Sequence, residues 1–280
     1  MNTNSNLYTV IYSTVLVVVV AAVLAFVAIS LQDKQNENIK IETISKVLNA
    51  ATQSFESVEL NENSDVISMY TNYIENAYYV DGYGKKSGEM NTGKANAKEI
   101  VVATTSDLKK QNDIIKTIEA GKEDALKSLR LPVYVFNIEG SKVTVVPCYG
   151  AGLWGPIWGY VAVADNGKTI DGAIFDHKGE TPGLGAKIAE KPFYSCFKGK
   201  EIGNGDKFFE VRKANGTEDL HSVDAISGAT ITSQALGKSL NVWFKYYQPF
   251  FASIAAEKAA AEAAAQAACA ETETVKEVEE

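Results

Sequence analysis

Residues 224–233 have the types and spacing of a ligand site at the start of a helix. The stretch reads Asp-Ala-Ile-Ser-Gly-Ala-Thr-Ile-Thr-Ser, so a short predicted strand runs into small residues and then into a helix. Small side chains at 227–229 let the backbone approach a ligand closely, and the free N–H groups of a first helical turn favour an anion such as phosphate. The hydroxyls of Thr230, Thr232 and Ser233 can also cap the helix without any ligand. The pattern alone leaves both interpretations open.

A second stretch, residues 177–187, reads His-Lys-Gly-Glu-Thr-Pro-Gly-Leu-Gly-Ala-Lys. The two glycines around Leu184 predict a tight loop against which a flat ring could lie, and Glu180 and Thr181 offer polar contacts. The alternative is a plain strand-to-helix turn whose bend is set by Pro182 and Gly183 in a type II arrangement. Taken alone, this stretch favours the turn.

A third stretch, residues 150–159, is unusually rich in glycine, tryptophan and proline for a connector, and reads Gly-Ala-Gly-Leu-Trp-Gly-Pro-Ile-Trp-Gly. Trp154 and Trp158 could stack on an aromatic cofactor or face a membrane interface. They could also fill the end of a sheet as core residues. These three interpretations remain open at the level of sequence.

The rest of the chain excludes several classes of protein. A net charge of −8 gives no electrostatic basis for binding nucleic acid. Three widely separated cysteines support neither a disulfide framework nor a metal cage, and two histidines are too few for a histidine-built metal site. A hydrolase would need Ser227 or Ser233 as nucleophile, but the chain has no G-x-S-x-G elbow. We therefore expect no catalytic residue and no bound metal.

An apolar run near the N-terminus predicts a membrane anchor. Residues 2–32 contain no charged side chain, and residues 10–31 are almost wholly apolar. About 20 helical residues cross a ~30 Å hydrocarbon core. A cleaved signal is disfavoured because the run is too long and lacks a basic segment before it. The lysines that follow, Lys34, Lys40 and Lys46, would place the rest of the chain in the cytoplasm by the positive-inside rule.

The elements that must position the three stretches predict an α+β fold. Apolar spacing in residues 33–60 predicts a helical stalk, residues 80–93 read as a loop, and residues 96–129 have helical patterns. Strands are predicted over residues 132–137, 142–147, 159–164, 169–175, 208–213 and 223–226. We expect a single N-terminal transmembrane helix followed by an antiparallel-sheet domain.

The C-terminal part is predicted to be helical in two pieces. Apolar positions in residues 231–247 lie on one helical stripe, and Pro249 is expected to end that helix. Residues 252–270 are dominated by alanine with Glu and Lys, which favours a helical tail. The expected division of the chain is an anchor (1–32), a stalk with the N-terminal part of the soluble domain (33–130), a ligand-binding domain (131–250) and an Ala/Glu-rich tail (251–280).

Taken in chain order, the three stretches resemble a known family. The frame Asp-x-x-Ser-Gly-Ala-Thr resembles the site where a flavin transferase attaches FMN to threonine through a phosphoester. Together with the Glu-Thr-Pro-Gly-Leu-Gly and Gly-Leu-Trp-Gly stretches, it is similar to the covalent FMN-binding domain in the sodium-translocating NADH:quinone reductase, in the subunit designated C. The resemblance covers roughly residues 8–250 and includes the N-terminal span.

The resemblance implies a set of cofactor-binding residues. Thr230 would carry the covalent FMN, within an acceptor motif that includes Asp224, Ser227, Gly228 and Ala229. The loop beside the flavin would comprise Glu180, Thr181, Gly183, Leu184 and Gly185, with Leu153 and Trp154 contributed by the third stretch. No side chain of the protein needs to act as a nucleophile or as an acid–base pair, because flavin carries the redox chemistry itself.

The same resemblance implies that the chain is an electron-relay subunit of a bacterial inner-membrane oxidoreductase that pumps sodium. The subunit would not be active alone. Its partners would be the other subunits and, during maturation, a flavin transferase. The domain would lie on the periplasmic side, against the lysine count, because long domains cross largely regardless of charge. Two alternatives remain: the similar flavin subunit of the ferredoxin:NAD electron-transport (Rnf-type) complex, and a membrane-anchored interaction protein without a cofactor.

Overall fold

The computed structural model describes residues 6–58, 60, 65–205 and 207–278. They fall into two compact units, one that ends at Glu42 and one that begins at Thr43. Helix α1, Asn6–Thr52, begins in the first unit and ends in the second. The chain has no Gly or Pro between residues 6 and 52, so nothing in the sequence breaks this helix.

The predicted membrane span lies inside α1. Its best 18-residue window has a mean hydropathy of 3.0, and none of that window is buried against the protein. The helix is therefore long and apolar enough to cross a membrane. The predicted stalk helix is confirmed as far as Thr52, beyond which the chain turns and leaves the helix.

A six-stranded antiparallel sheet forms the centre of the second unit, in the order β2-β1-β3-β4-β5-β6. Its strands are β1 (Ile74–Val80), β2 (Lys86–Glu89), β3 (Leu131–Ile138), β4 (Ser141–Ala151), β5 (Pro156–Ala164) and β6 (Ile170–His177). The four strands predicted between residues 132 and 175 are confirmed. The expectation of a loop over residues 80–93 is wrong, because β2 lies there and pairs with β1.

The remaining elements surround this sheet. The helices are α2 (Val66–Tyr73), α3 (Thr105–Glu119), α4 (Lys191–Tyr194) and α5 (Thr230–Val278). Short 3-10 segments cover Ala97–Glu99, Glu123–Ser128, Gly185–Ala189 and Ser195–Phe197. The predicted strands near residues 210 and 224 are confirmed as β7 (Glu210–Arg212) and β8 (Ser222–Asp224), which form a separate parallel pair.

Both faces of the large sheet are buried. Odd-numbered residues of β5, such as Val161, pack with α3 and α5, whereas its even-numbered residues, such as Tyr160, pack with α2 and the last turns of α1. Ile44, Val47 and Leu48 of α1 are fully buried in the second of these layers. A sheet covered on both sides explains why its central strands read as long apolar runs. The α+β architecture is as predicted.

The prediction that Pro249 ends the C-terminal helix is wrong, because α5 continues through it to Val278. Proline removes one helical hydrogen bond and crowds the preceding turn. Here Phe250 and Phe251, directly after the proline, are buried in the core, and their burial stabilises the continued helix. Gly84, in the turn between β1 and β2, approaches the same point so closely that a Cβ would lie 2.6 Å from the Phe250 nitrogen.

Candidate functional site

The three stretches singled out in the sequence meet at one cavity of about 260 Å³. It is lined by Leu153, Trp154, Glu180, Thr181, Leu184, Gly185, Gly228, Ala229, Thr230, Ile231 and Thr232. All the predicted site residues are among these except Gly183, Asp224 and Ser227. In chain order, residues 153 and 154 lie in the hairpin loop between β4 and β5, residues 180–185 follow β6, and residues 228–232 span the start of α5.

The first turn of α5 carries three hydroxyl groups in different states. The Ser233 hydroxyl is buried, donates to the Ala229 carbonyl oxygen at 2.9 Å and accepts from the Ile226 N–H at 3.1 Å. The Thr232 hydroxyl is buried and donates to the Glu180 carboxylate at 2.6 Å. The half-buried Thr230 makes no side-chain hydrogen bond to any residue that the structure describes. Thr230 is therefore the hydroxyl left available at the cavity.

The backbone just before α5 opens the helix N-terminus toward the cavity. Gly228 has a φ of +79°, a conformation that favours glycine, and a Cβ there would contact Leu184 Cδ2 at 3.2 Å. The Ser233 N–H donates to the Ala229 carbonyl oxygen at 3.0 Å, so the N–H groups of residues 230–232 precede the first intrahelical bond. Such groups, together with the helix dipole, favour an anion.

Glu180 joins the three segments through its carboxylate. The residue is only 4% exposed, and its side chain accepts from the Thr232 hydroxyl and, at 2.9 Å, from the Trp154 N–H. Burial acts to raise the pKa of Glu180, but the Thr232 hydroxyl and the N–H groups of residues 153–155 outweigh it, so the pKa lies below its ordinary value. The carboxylate is held in its ionised form.

Two glycines make room for this carboxylate. A Cβ on Gly152 would lie 2.5 Å from Glu180 Oε1, and a Cβ on Gly185 would lie 2.4 Å from Glu180 Oε2. Both distances are far shorter than a van der Waals contact. Glycine at residue 185 therefore leaves space for the hydrogen bond between Glu180 and Thr232. The sequence motif alone does not reveal this role.

Apolar side chains stand exposed around the cavity. Trp154 is 70% exposed, Ile231 63%, Leu153 48% and Leu184 44%. Four large apolar groups at one opening provide a surface suited to a flat aromatic ligand. Ile231, absent from the predicted set, could have been found because it directly follows the predicted acceptor in the helical sequence.

Trp154 and Trp158 have different surroundings. Trp154 lines the cavity, whereas Trp158 is half-buried on β5 and lies under the ammonium group of Lys46, 5.7 Å from its ring centroid. The same ammonium group forms an ion pair with Asp176, the residue before the end of β6. The interpretation of this stretch as core therefore applies to Trp158, and the interpretation as a site wall applies to Trp154.

Asp224, Ser227 and Gly183 are predicted site residues but do not line the cavity. The Asp224 carboxylate accepts from the Gly216 N–H at 2.7 Å and the Thr217 hydroxyl at 3.3 Å. Ser227 is exposed. Gly183 has a φ of +76° and open space beside it, and the Leu184 N–H donates to the Thr181 carbonyl oxygen at 3.1 Å, as in the predicted turn.

Comparisons with known proteins agree on one family. A family model described as the FMN-binding domain matches residues 152–245, which contain all three segments of the cavity. The relatives are Na(+)-translocating NADH-quinone reductase proteins, the subunit designated C or NqrC. The chain is 31% identical to the Pasteurella multocida protein over 201 residues. This alignment covers 70% of this chain and 75% of that protein. The chain is 29% identical over 248 residues to the Vibrio anguillarum protein, over 84% of this chain and 90% of that protein.

Solved structures give the same result. The crystal structure of the same subunit from Parabacteroides distasonis superposes with a TM-score of 0.59 at 30% identity, over 79% of this chain and 96% of that chain. The structure of Shewanella oneidensis NqrC superposes with a TM-score of 0.57 at 27% identity, over 79% and 99%.

The fold, the cavity and the long apolar helix define a membrane-anchored flavoprotein with an FMN-binding domain. The chain belongs to the NqrC family of the Na(+)-translocating NADH-quinone reductase. It is an FMN-bearing subunit of that type of oxidoreductase complex, as the resemblance in its sequence predicted.

Proposed function

We propose that this chain carries FMN covalently on Thr230, through a phosphoester, and relays electrons within a sodium-pumping NADH:quinone reductase. The observation that carries the proposal is the state of the three hydroxyls at the start of α5. Thr232 and Ser233 are buried and hydrogen bonded, whereas Thr230 is free of side-chain partners among the described residues and lines the cavity. An acceptor hydroxyl must be accessible, and Thr230 alone of the three meets that requirement.

The cavity fits the chemical parts of FMN. The first-turn N–H groups of α5 suit the phosphate of a phosphoester on Thr230. Leu153, Trp154, Leu184 and Ile231 suit the apolar faces of the flavin ring. At about 260 Å³ the cavity is smaller than the roughly 300–1,000 Å³ usual for ligand pockets, so part of the cofactor would remain outside it. An exposed flavin edge is what exchange of electrons with another subunit requires.

The chain's own residues hold and orient the cofactor. Bound FMN supplies the one- and two-electron chemistry. We assign Gly228 and Ala229 to the approach of the backbone to the phosphate, and Thr181, Gly183, Leu184 and Gly185 to the loop beside the ring. We assign Asp224 and Ser227 a structural role in the connection between β8 and α5, which positions Thr230.

The assembly is part of the same proposal. The named relatives are subunits of a reductase that translocates sodium, so we propose other subunits of such a complex as partners and a flavin transferase in maturation. We also propose the division into anchor (1–32), stalk with the N-terminal part of the soluble domain (33–130), FMN-binding domain (131–250) and tail (251–280). A covalent link would prevent loss of flavin outside the cytoplasm, where we place the domain.

The test of the linkage is a denaturing gel. The full chain, expressed with a flavin transferase, should give a band that fluoresces under ultraviolet light at about 30 kDa. Thr230→Ala should abolish that fluorescence, while Thr232→Ser, which retains the hydroxyl that Glu180 binds, should retain it. Fluorescence that survives Thr230→Ala would place the linkage on another residue, and peptide mass mapping would then identify it.

The test of orientation is protease accessibility. Protease added to intact spheroplasts should digest the domain and leave cytoplasmic marker proteins intact. Digestion only in inverted vesicles would place the domain in the cytoplasm, as the positions of Lys34, Lys40 and Lys46 would suggest by the positive-inside rule.

A further inference from the structure

We propose that Glu180 sets the reduction potential of the bound flavin by keeping an unpaired negative charge in the wall of the cavity. The inference rests on the proposed function, because it requires FMN at this cavity. It concerns a role that the sequence motif does not assign, since the motif places Glu180 only as one member of a loop beside the ring.

The Glu180 carboxylate is charged and has no cationic partner among the described residues. Glu180 forms no ion pair with any lysine, arginine or histidine in the part of the chain that the structure describes. Its oxygens are satisfied by neutral donors, the Thr232 hydroxyl and the Trp154 N–H. These dipoles keep the carboxyl group ionised, and the lowered pKa of Glu180 agrees with this. They do not cancel its net charge.

The buried position of this charge limits its screening by solvent. Glu180 is 4% exposed and lies in the same cavity wall as Thr230. Coulombic interactions of buried groups are several times stronger than those of groups in water. Reduction of a flavin places additional electron density in the cavity, so a fixed anion there disfavours the reduced form. The residue therefore lowers the potential and favours release of the electron to the next carrier.

The surrounding segments hold the charge in place. The backbones of Gly152 and Gly185 lie close to the two carboxylate oxygens, since a Cβ on Gly152 would overlap one oxygen and a Cβ on Gly185 the other. A carboxylate that bridges the β4–β5 loop to the first turn of α5 is fixed relative to Thr230, two residues before Thr232. Its effect on a cofactor carried by Thr230 is consequently constant, as a tuning group requires.

The experiment compares midpoint potentials of the full, flavin-loaded chain in detergent by spectroelectrochemical titration. In Glu180→Gln the amide oxygen can accept from the backbone N–H groups while the amide NH₂ donates to the Thr232 hydroxyl, so the contacts are retained and the charge is removed. The variant should favour the reduced flavin at least tenfold more than wild type, a rise of about 30 mV for a two-electron couple. The matched control is Glu190→Gln, an exposed carboxylate, which should leave the potential unchanged.

A second variant separates charge from structure. Thr232→Val removes one hydrogen bond from Glu180 but leaves the charge, so it should not raise the potential. Equal potentials in wild type and Glu180→Gln, or equal rises in Glu180→Gln and Thr232→Val, would overturn the proposal. If Glu180→Gln retains too little flavin to titrate, Glu180→Asp retains the charge, and a raised potential in that variant would overturn the proposal in the same way. Absence of a fluorescent band from wild type would instead refute the covalent linkage itself.

Discussion

Three glycines in one short segment allow the same substitution to be tested against three different surroundings. Alanine at Gly185 would place a Cβ 2.4 Å from Glu180 Oε2 and 2.8 Å from Thr232 Oγ1. Alanine at Gly183 would meet open space but at a φ of +76°. Alanine at Gly179 would find its nearest atom at 3.8 Å, without a positive φ. Alanine therefore causes steric overlap at residue 185, backbone strain at residue 183 and neither effect at residue 179. The three substitutions should lower the free energy of unfolding by different amounts.

The expected costs follow from these surroundings. Gly185→Ala must displace the carboxylate from the Thr232 hydroxyl, and the loss of a hydrogen bond to a charged group costs about 1.5–3 kcal/mol. Gly183→Ala should cost about 1–2 kcal/mol, the strain of a left-handed conformation for a residue with a Cβ. Gly179→Ala should change the free energy of unfolding by less than about 0.5 kcal/mol, as exposed substitutions usually do. The expected cost is largest for Gly185→Ala, smaller for Gly183→Ala and smallest for Gly179→Ala.

Urea unfolding of the flavin-free full chain in detergent, followed by tryptophan fluorescence, would measure these costs. With a slope of about 2 kcal/mol per molar urea, Gly185→Ala should lower the midpoint by about 1 M and Gly179→Ala should leave it unchanged. Only the domain should unfold in this range, since the micelle protects the membrane span. A larger loss in Gly183→Ala than in Gly185→Ala would show that the contact between Glu180 and Thr232 is not what requires glycine at residue 185.

Three further predictions concern stability in the same assay. Lys46→Met should lower the free energy of unfolding by about 1–3 kcal/mol, because it leaves the Asp176 carboxylate partly buried without its cation; Lys127→Met, at an exposed position, is the control. Gly150→Ala should cost about 1–3 kcal/mol, because its Cβ would overlap the Ser239 hydroxyl, and adding Ser239→Ala should recover part of that loss. The lowered pKa of Glu180 stabilises the fold above the ordinary glutamate value of about 4.3 and ceases to do so as pH falls through the folded value. The advantage of wild type over Glu180→Gln at pH 7 should therefore shrink below about pH 4.

The parts of the fold that the sequence predicts are those with local causes. The hairpin between β5 and β6 follows from its Asp-Asn-Gly turn between apolar strands, and the start of α5 follows from small residues and hydroxyls before an apolar stripe. Strand β2, with the sequence Lys-Ser-Gly-Glu, has no apolar alternation and is a strand only because β1 pairs with it. The helix continues through Pro249 because the buried residues after it outweigh its local cost, which no local pattern reveals.

The candidate site divides in the same way. The residues of the acceptor motif are contiguous, so their proximity needs no tertiary information. The contacts of Glu180 reach Trp154 and Thr232, which lie 26 and 52 residues away in sequence, and nothing in either segment marks the partner. The reason for Gly185 is equally non-local, because the groups that would collide with its side chain belong to another part of the loop and to α5.

The position of Thr230 is ultimately set by the core of the domain. Leu236, Leu240 and Trp243 of α5 are fully buried, and the Trp243 indole N–H donates to the Tyr149 carbonyl oxygen on β4 at 2.8 Å. Helix α5 therefore cannot shift along the sheet without breaking buried contacts, and these contacts also set the position of the residue at its start. Glu180 ties that same start to the loop after β4. A cofactor carried by Thr230 would thus be anchored to rigid elements at its phosphate end, while the exposed side chains of Trp154 and Ile231 remain free to adjust around the ring.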